Sequence, residues 1–273
     1  MQSLATPVSP EGVSSVYGPV TSWRYGRSLG IDPIGAISTC SFDCVYCQLG
    51  EIERKQRDRA LFVPTSKILQ DLQPFAPWQV DVITLSGSGE PTLALNLGEI
   101  LTQVKALTSR PVGVLTNGTL LAEATVRREL AIADQVAVKL DAVSAAMLRR
   151  VNRPVEGITL DELWQSFCQF RREFAGRLSV QTMVLTPWSS AEQEQYLAMV
   201  RAIAPDEIHL NTPTRPRPLR HQLEARGNHP PEQPEYAVRY LKPVSAAVLK
   251  EWGDRLQAAT GIPVYSPPLP PSV

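Results

Sequence analysis

Cysteine and histidine are scarce in this chain of 273 residues, with four of the first and three of the second. So few cysteines do not make a disulfide framework, and a chain that clusters three of them fits a reducing compartment. Long apolar runs are missing as well: nothing approaches the roughly 18 residues that a membrane-spanning helix needs. The opening stretch, MQSLATPVSPEG, has neither the basic start nor the apolar centre of a secretory signal. The expected location is therefore the cytoplasm, with no membrane partner. Neither sign of charge is in excess. Lys+Arg and Asp+Glu number 27 each, which excludes a whole-molecule field for nucleic acid and leaves only local basic patches to provide one.

What is present is ordinary for a globular protein, with 43% hydrophobic and 20% charged residues. The length suits one large domain or two small ones around a sizeable core. Proline alone is over-represented: many of its 24 residues fall beyond residue 211 and predict an irregular segment there.

The cysteines that do occur are concentrated. Cys40, Cys44 and Cys47 lie within residues 37–50, ISTCSFDCVYCQLG, in a C-x3-C-x2-C spacing. Thiolates this close in sequence converge on a metal without long-range folding. Three of them leave a tetrahedral ion or a four-iron cluster one ligand short, which suits a catalytic centre. A structural zinc ion is the alternative. Its fourth ligand would come from His209, His221 or His229, all at least 160 residues away.

Periodicity sets this loop in a repeating frame. Residues 28–31 (SLGI) form a short apolar strand stopped by Asp32-Pro33. Further buried-strand runs fall at 80–85, 112–115, 135–140, 180–185 and 207–210. Helical patterns start at Thr65 and span residues 97–107 and 121–132. Two more open at Thr159 and Ser189, each with Glu three residues on as a capping box. Residues 51–59, EIERKQRDR, read as a solvated segment.

Six strand runs separated by five helical stretches predict βαβ units and a mainly parallel sheet. Right-handed crossovers would curl it into a barrel or partial barrel; a flat doubly wound sheet is the competing topology. Residues 1–27 are expected to be an N-terminal arm, 28–211 the core, and 212–273 a C-terminal extension. The Pro/Arg-rich part of that extension would be a lid or edge cover, followed by a helix at residues 245–259.

The cysteine loop follows the first strand, and SGSGEPT (residues 86–92) follows the second, at the edge where α/β folds place their sites. With these residues in view, the chain resembles radical S-adenosylmethionine (radical SAM) enzymes. CSFDCVYC matches the C-x3-C-aromatic-C pattern of that superfamily. Ser88-Gly89-Glu90-Pro91 resembles its Gly-Gly-Glu turn, with Ser for the first Gly. The resemblance covers residues 28–211. CSFDCVYCQLG, SGEPT, TNG, KLDA followed by NRP, and NTPTRP look most like a bacterial group allied to the wyosine-type tRNA-modifying enzymes.

The resemblance implies an α/β fold, a partial (β/α)6 TIM-like barrel, carrying a [4Fe-4S] cluster on Cys40, Cys44 and Cys47. The amino and carboxylate groups of S-adenosylmethionine would occupy the fourth iron. Reductive cleavage would give methionine and a 5'-deoxyadenosyl radical that abstracts hydrogen from an unidentified substrate, with a tRNA base among the candidates. Flavodoxin or ferredoxin would be the low-potential reductant. Tyr46 would pack beside the adenine or the cluster, and the turn Ser88, Gly89, Glu90 would meet the methionine amino group through its backbone. Modification of a small molecule or a protein is one alternative; non-catalytic metal or iron–sulfur binding is another.

Further candidates come from the residues themselves. Lys139 and Asp141 share one face of the fourth strand run, because side chains alternate. A lysine in an apolar strand is costly unless it meets a carboxylate, a ligand or water. Lys139 is thus expected to contact the cofactor or substrate, or else to pair internally with Asp141. Asn117 in TNGT serves a ligand or the turn itself. Gln181 faces the cofactor or satisfies backbone groups, and Asn211 ends the sixth strand at the active edge. Arg215, Arg217 and Arg220 form a positive group suited to a phosphate or carboxylate, or a solvated loop. Cys168, inside LDELWQSFCQFRREF, is expected to be a small buried hydrophobe.

Overall fold

The computed structural model describes residues 13–227 and 234–267. Eight strands form one sheet whose order in space is the order in sequence. These are β1 (Val16–Ser22), β2 (Gly26–Ile31), β3 (Val82–Leu85), β4 (Val112–Thr116), β5 (Gln135–Lys139), β6 (Arg177–Met183), β7 (Glu207–Asn211) and β8 (Val264–Tyr265). β1 is antiparallel to β2, and each later strand runs parallel to the one before it. A doubly wound sheet reverses its strand order at a switch point. Here the order never reverses, so every crossover advances in one direction and the sheet curls into an open, partial barrel.

The edges depart from the expected plan. Residues 1–12 of the anticipated arm lie outside the described residues, whereas residues 16–22 are not an arm but the edge strand β1. Its alternation was obscured by Gly18 and Pro19, where the pairing register shifts between Tyr17 and Val20. Proline lacks a ladder donor, and an irregular edge strand is where a sheet tolerates it. At the other edge the C-terminal extension adds β8, whose two residues are too few to show a period.

The helices α1 (Thr65–Leu72), α2 (Leu97–Thr108), α3 (Ala124–Leu130), α4 (Ala145–Val151), α5 (Leu160–Glu173), α6 (Ser190–Ile203) and α7 (Ala246–Thr260) share one core with the strands. α2 shows why they form where they do. Leu97, Ile100, Leu101 and Val104 recur at helical spacing and are buried, each worth about 1.5–3 kcal/mol. The capping box at Ser189 is complete. At Thr159 only half of it forms: the hydroxyl accepts from Glu162 N, while the Glu162 carboxylate turns toward Arg57 at 3.9 Å. The seven-residue α4, capped by Ser144, is too short to announce itself by periodicity. Cys168 on α5 is half-buried against the core rather than fully enclosed.

Candidate active site

The cysteine loop leaves the C-terminal end of β2, and its backbone is tied to three neighbours. Thr39 N donates to Ser88 O (3.1 Å) and Thr39 O accepts from Glu90 N (3.0 Å), which zips the loop to the turn after β3. Asp43 N and Val45 N donate to the carbonyls of Asn152 and Val151 at the end of α4 (3.0 and 2.9 Å). Gln56 N donates to Cys40 O (3.1 Å) from the charged stretch that follows. Gly89 permits the first of these ties, since a Cβ there would stand 1.8 Å from Thr39 O. Gly89→Ala is expected to push the cysteine loop off this turn at a cost of about 1–3 kcal/mol or more. The check is iron content after anaerobic reconstitution, which should fall below half that of the wild type; full loading would refute it.

Within the curl of the sheet lies a cavity of about 540 Å³. Cys40, Cys44 and Cys47 line it together with Tyr46, Gly89, Glu90, Asn117, Lys139, Asp141, Gln181 and Asn211. Nearly every residue expected at the site from sequence is thus brought to one wall. Ser88 is the exception. Its hydroxyl donates to Asp32 Oδ2 at 2.6 Å, away from the cavity, and Asp32 is also bound by Arg226 (2.9 Å). Serine at this position therefore anchors the turn from behind, and only its backbone carbonyl serves the loop.

Asp141 organises the wall beside the cysteines. Its buried carboxylate accepts from the Tyr46 hydroxyl in a short bond, from Asn152 Nδ2 (2.7 Å) and from Met183 N (2.8 Å). Lys139 Nζ donates to the Tyr46 hydroxyl at 3.0 Å and stands 3.9 Å from Asp141. Burial, then the Asp141 carboxylate, holds the Tyr46 phenol well above its ordinary pKa, so it remains a donor. For Lys139 burial works against the charge, but Asp141 and the nearby cysteines outweigh it and raise the pKa. The internal pairing anticipated for Lys139 and Asp141 is present, and Lys139 also faces the cavity. Asn152, visible in sequence only as part of the NRP motif, also reaches Cys44 Sγ with its amide at 3.4 Å.

Glu90 belongs to the same lining. It is buried and accepts from Thr116 Oγ1 (2.5 Å), Asn117 N (2.6 Å), Thr92 Oγ1 (2.7 Å) and Thr92 N (3.1 Å). Burial raises its pKa against the pull of those four bonds. Asn117 takes the turn role: Oδ1 accepts from Thr119 N (2.9 Å), while Nδ2 reaches Ser41 Oγ (2.9 Å) and Cys40 Sγ (3.5 Å). Gln181 donates to the Tyr25 hydroxyl (2.9 Å), and Asn211 Oδ1 accepts from Thr212 N (2.9 Å).

The arginine group divides. Arg215 lines the cavity, Arg217 turns to Asp43 (3.4 Å) in the cysteine loop, and Arg220 is exposed outside it. Trp23 and Arg24 are cavity residues that sequence does not reveal, because nothing in it shows that the tip of the first hairpin folds over the lumen.

The two described histidines weighed as a fourth zinc ligand are engaged elsewhere. His209 pairs with Glu207 (3.1 Å), His221 contacts Glu53 (3.1 Å), and neither lines the cavity. His229 lies outside the described residues. Burial pushes all three thiols up, Cys44 to about 12, so thiolates here need a compensating positive charge.

The family model described as the Radical SAM superfamily matches residues 36–200, the span that contains this loop and its wall. The chain belongs to the radical SAM superfamily. A UPF0026 protein of Synechocystis is 55% identical over 256 residues, covering 93% of this chain and 97% of that protein. A probable GTP 3',8-cyclase of Saccharolobus islandicus is 30% identical over 141 residues, or 50% of this chain and 44% of that one. Among solved structures, Streptococcus suis SuiB bound to S-adenosylmethionine aligns with a TM-score of 0.58 at 12% identity, over 88% of this chain and 47% of SuiB. Native anSMEcpe with bound AdoMet gives 0.57 at 13%, over 88% and 63%. These likenesses show that the radical SAM fold is shared. Among the described residues no helix is long and apolar enough to cross a membrane.

Proposed function

We propose that this radical SAM enzyme holds a [4Fe-4S] cluster on Cys40, Cys44 and Cys47, with S-adenosylmethionine in the adjoining cavity. The observation that carries this is the meeting of all three cysteines, the Gly89–Glu90 turn and the Lys139–Tyr46–Asp141 group on one wall of a 540 Å³ lumen. That volume lies in the usual range for a small-molecule site. When bound, the reduced cluster supplies the electron that splits the sulfonium into methionine and a 5'-deoxyadenosyl radical, which takes hydrogen from the substrate.

The chain's own residues orient and exclude. Gly89 lines the cavity, and its lack of a side chain lets the Thr39 backbone hold the cysteine loop against it. Lys139 offers a fixed cation to the cofactor carboxylate or to the substrate. Tyr46, pinned by Asp141 and Lys139, presents a rigid aromatic face beside the cysteines. Curling walls keep water from the reacting atoms. A low-potential flavodoxin or ferredoxin would act as reductant.

The test is anaerobic reconstitution followed by reduction with S-adenosylmethionine present. The expected result is about four irons per chain and formation of 5'-deoxyadenosine. Iron without 5'-deoxyadenosine would overturn the catalytic reading, and stoichiometric zinc alone would overturn the iron–sulfur one. For the substrate we favour a nucleobase-bearing molecule, supported by the partial likeness to a probable GTP 3',8-cyclase and by the wyosine-type resemblance of the motifs. Profiling RNA nucleosides with and without the gene separates an RNA substrate from a free small molecule.

A further inference from the structure

The cysteine loop and the Lys139 group account for one part of the cavity wall; the tip of the β1–β2 hairpin supplies another. Two aromatic contacts hold this tip. Tyr25 receives the Gln181 amide at 2.9 Å, and Trp23 meets His209 edge-on at 5.5 Å between ring centres. The tip therefore reaches from the β2 side of the open barrel to β6 and β7, bridging its seam. Between the two aromatics sits Arg24, its guanidinium carbon 5.4 Å from the Trp23 ring centre and 6.0 Å from that of Tyr25.

Arg24 lines the cavity, and its Nε is buried with no hydrogen-bond partner. Among the described residues its guanidinium makes neither a hydrogen bond nor an ion pair, and burial lowers its pKa. A half-buried cation whose Nε is enclosed and which meets no anion is costly, so such an arrangement persists where a ligand completes it. The two carboxylates of the lining do not do so. Glu90 is consumed by Thr92, Thr116 and Asn117, and Asp141 by Tyr46, Asn152, Met183 and Lys139.

Arg215 supplies a second guanidinium to the same cavity. It is steadied by Gln48 Oε1 (2.7 Å) and the Gly227 carbonyl (3.1 Å), and after burial the charge of Arg24 is the cause that lowers its pKa. Two guanidiniums brought within each other's field, one of them with no hydrogen-bond or ion-pair partner among the described residues, are matched to a single planar or tetrahedral anion.

We propose that Arg24 and Arg215 form an anion seat for the substrate, which carries a phosphate or carboxylate held at the hairpin end of the lumen. This rests on the reading of the lumen as the reaction chamber. Anchored there, the substrate presents its reacting atom toward the cysteine loop. The hairpin tip both closes the barrel seam and selects for charge.

The test titrates inorganic pyrophosphate and malonate into the full-length reconstituted protein with saturating S-adenosylmethionine, at low salt, by calorimetry. At least one probe is expected to bind one-to-one. Arg24→Gln and, separately, Arg215→Gln should weaken it at least tenfold, Arg24→Lys should retain part of it, and S-adenosylmethionine affinity should stay within twofold. Because Arg24 makes no hydrogen bond or ion pair among the described residues, Arg24→Gln should melt at or above the wild-type temperature; a clear loss of stability would mark a structural arginine and overturn the proposal. Absence of binding to the wild type would overturn it, as would equal binding to Arg24→Gln. A parallel loss of S-adenosylmethionine affinity would assign the guanidinium to the cofactor carboxylate and also overturn it. Failure of the radical chemistry itself would appear separately, as absent 5'-deoxyadenosine alongside intact anion binding.

Discussion

Cys40→Ser, Cys44→Ser and Cys47→Ser are each expected to lose the iron–sulfur absorbance and to cut 5'-deoxyadenosine formation by more than about 100-fold. Loss of a group that merely orients a metal ligand already costs about 10–100-fold, and loss of the ligand itself exceeds that. Cys168→Ser is the matched control. Cys168 sits half-buried on α5 and does not line the cavity, so iron content and turnover should stay within about twofold of the wild type. The comparison is internal to one protein with four cysteines, which removes preparation effects. Retention of the full cluster in any of the three loop variants would overturn the ligand assignment. A serine at Cys44 should also fold, because its neighbour Asn152 Nδ2 is held independently by Asp141.

The parts of this site legible in sequence are those in which chemistry and backbone sit in one short segment. C-x3-C-x2-C is such a segment, and so is SGSGEPT, whose Gly89 has to lack a Cβ for Thr39 to approach. The six parallel strands β2 to β7 were legible because each is a buried run between helical stretches. What could not be read depends on contacts across the chain. β1 hides behind Gly18 and Pro19, β8 is two residues long, and the hairpin tip reaches the lumen only because Trp23 and Tyr25 meet His209 and Gln181. Arg217 looked free to hold a substrate until the fold brought it to Asp43. Ser88 reads in sequence only as a departure from the Gly-Gly-Glu turn, whereas its hydroxyl is the tie that fixes the turn to Asp32.

Asp141→Ala is expected to be the most destabilising single change in the cavity wall. It strips an acceptor from the Tyr46 hydroxyl, the Asn152 amide and Met183 N, and leaves Lys139 with its nearest carboxylate gone. Leaving these three donors without their acceptor, at about 1–3 kcal/mol each, brings the cost to about 3–5 kcal/mol or more. At about 2–4 °C per kcal/mol for a chain somewhat smaller than this one, the melting temperature should fall by on the order of 10 °C. Asp141→Asn keeps an oxygen for Met183 N and should lose less.

Lys139→Met separates structure from function at the same place. Asp141 would still receive Tyr46, Asn152 and Met183 N, so stability should change by no more than about 1 kcal/mol, as for a partly exposed ion pair. If Lys139 serves the cofactor or substrate, binding of S-adenosylmethionine or turnover should fall at least about tenfold, the loss of one charge-assisted hydrogen bond. A Lys139→Met variant with unchanged cofactor affinity and unchanged turnover would reduce Lys139 to the internal partner of Asp141. The double variant Lys139→Met/Asp141→Asn then measures the pair directly: a melting temperature equal to the sum of the single shifts would mean that the 3.9 Å contact carries no coupling, and that Lys139 is held for what enters the cavity.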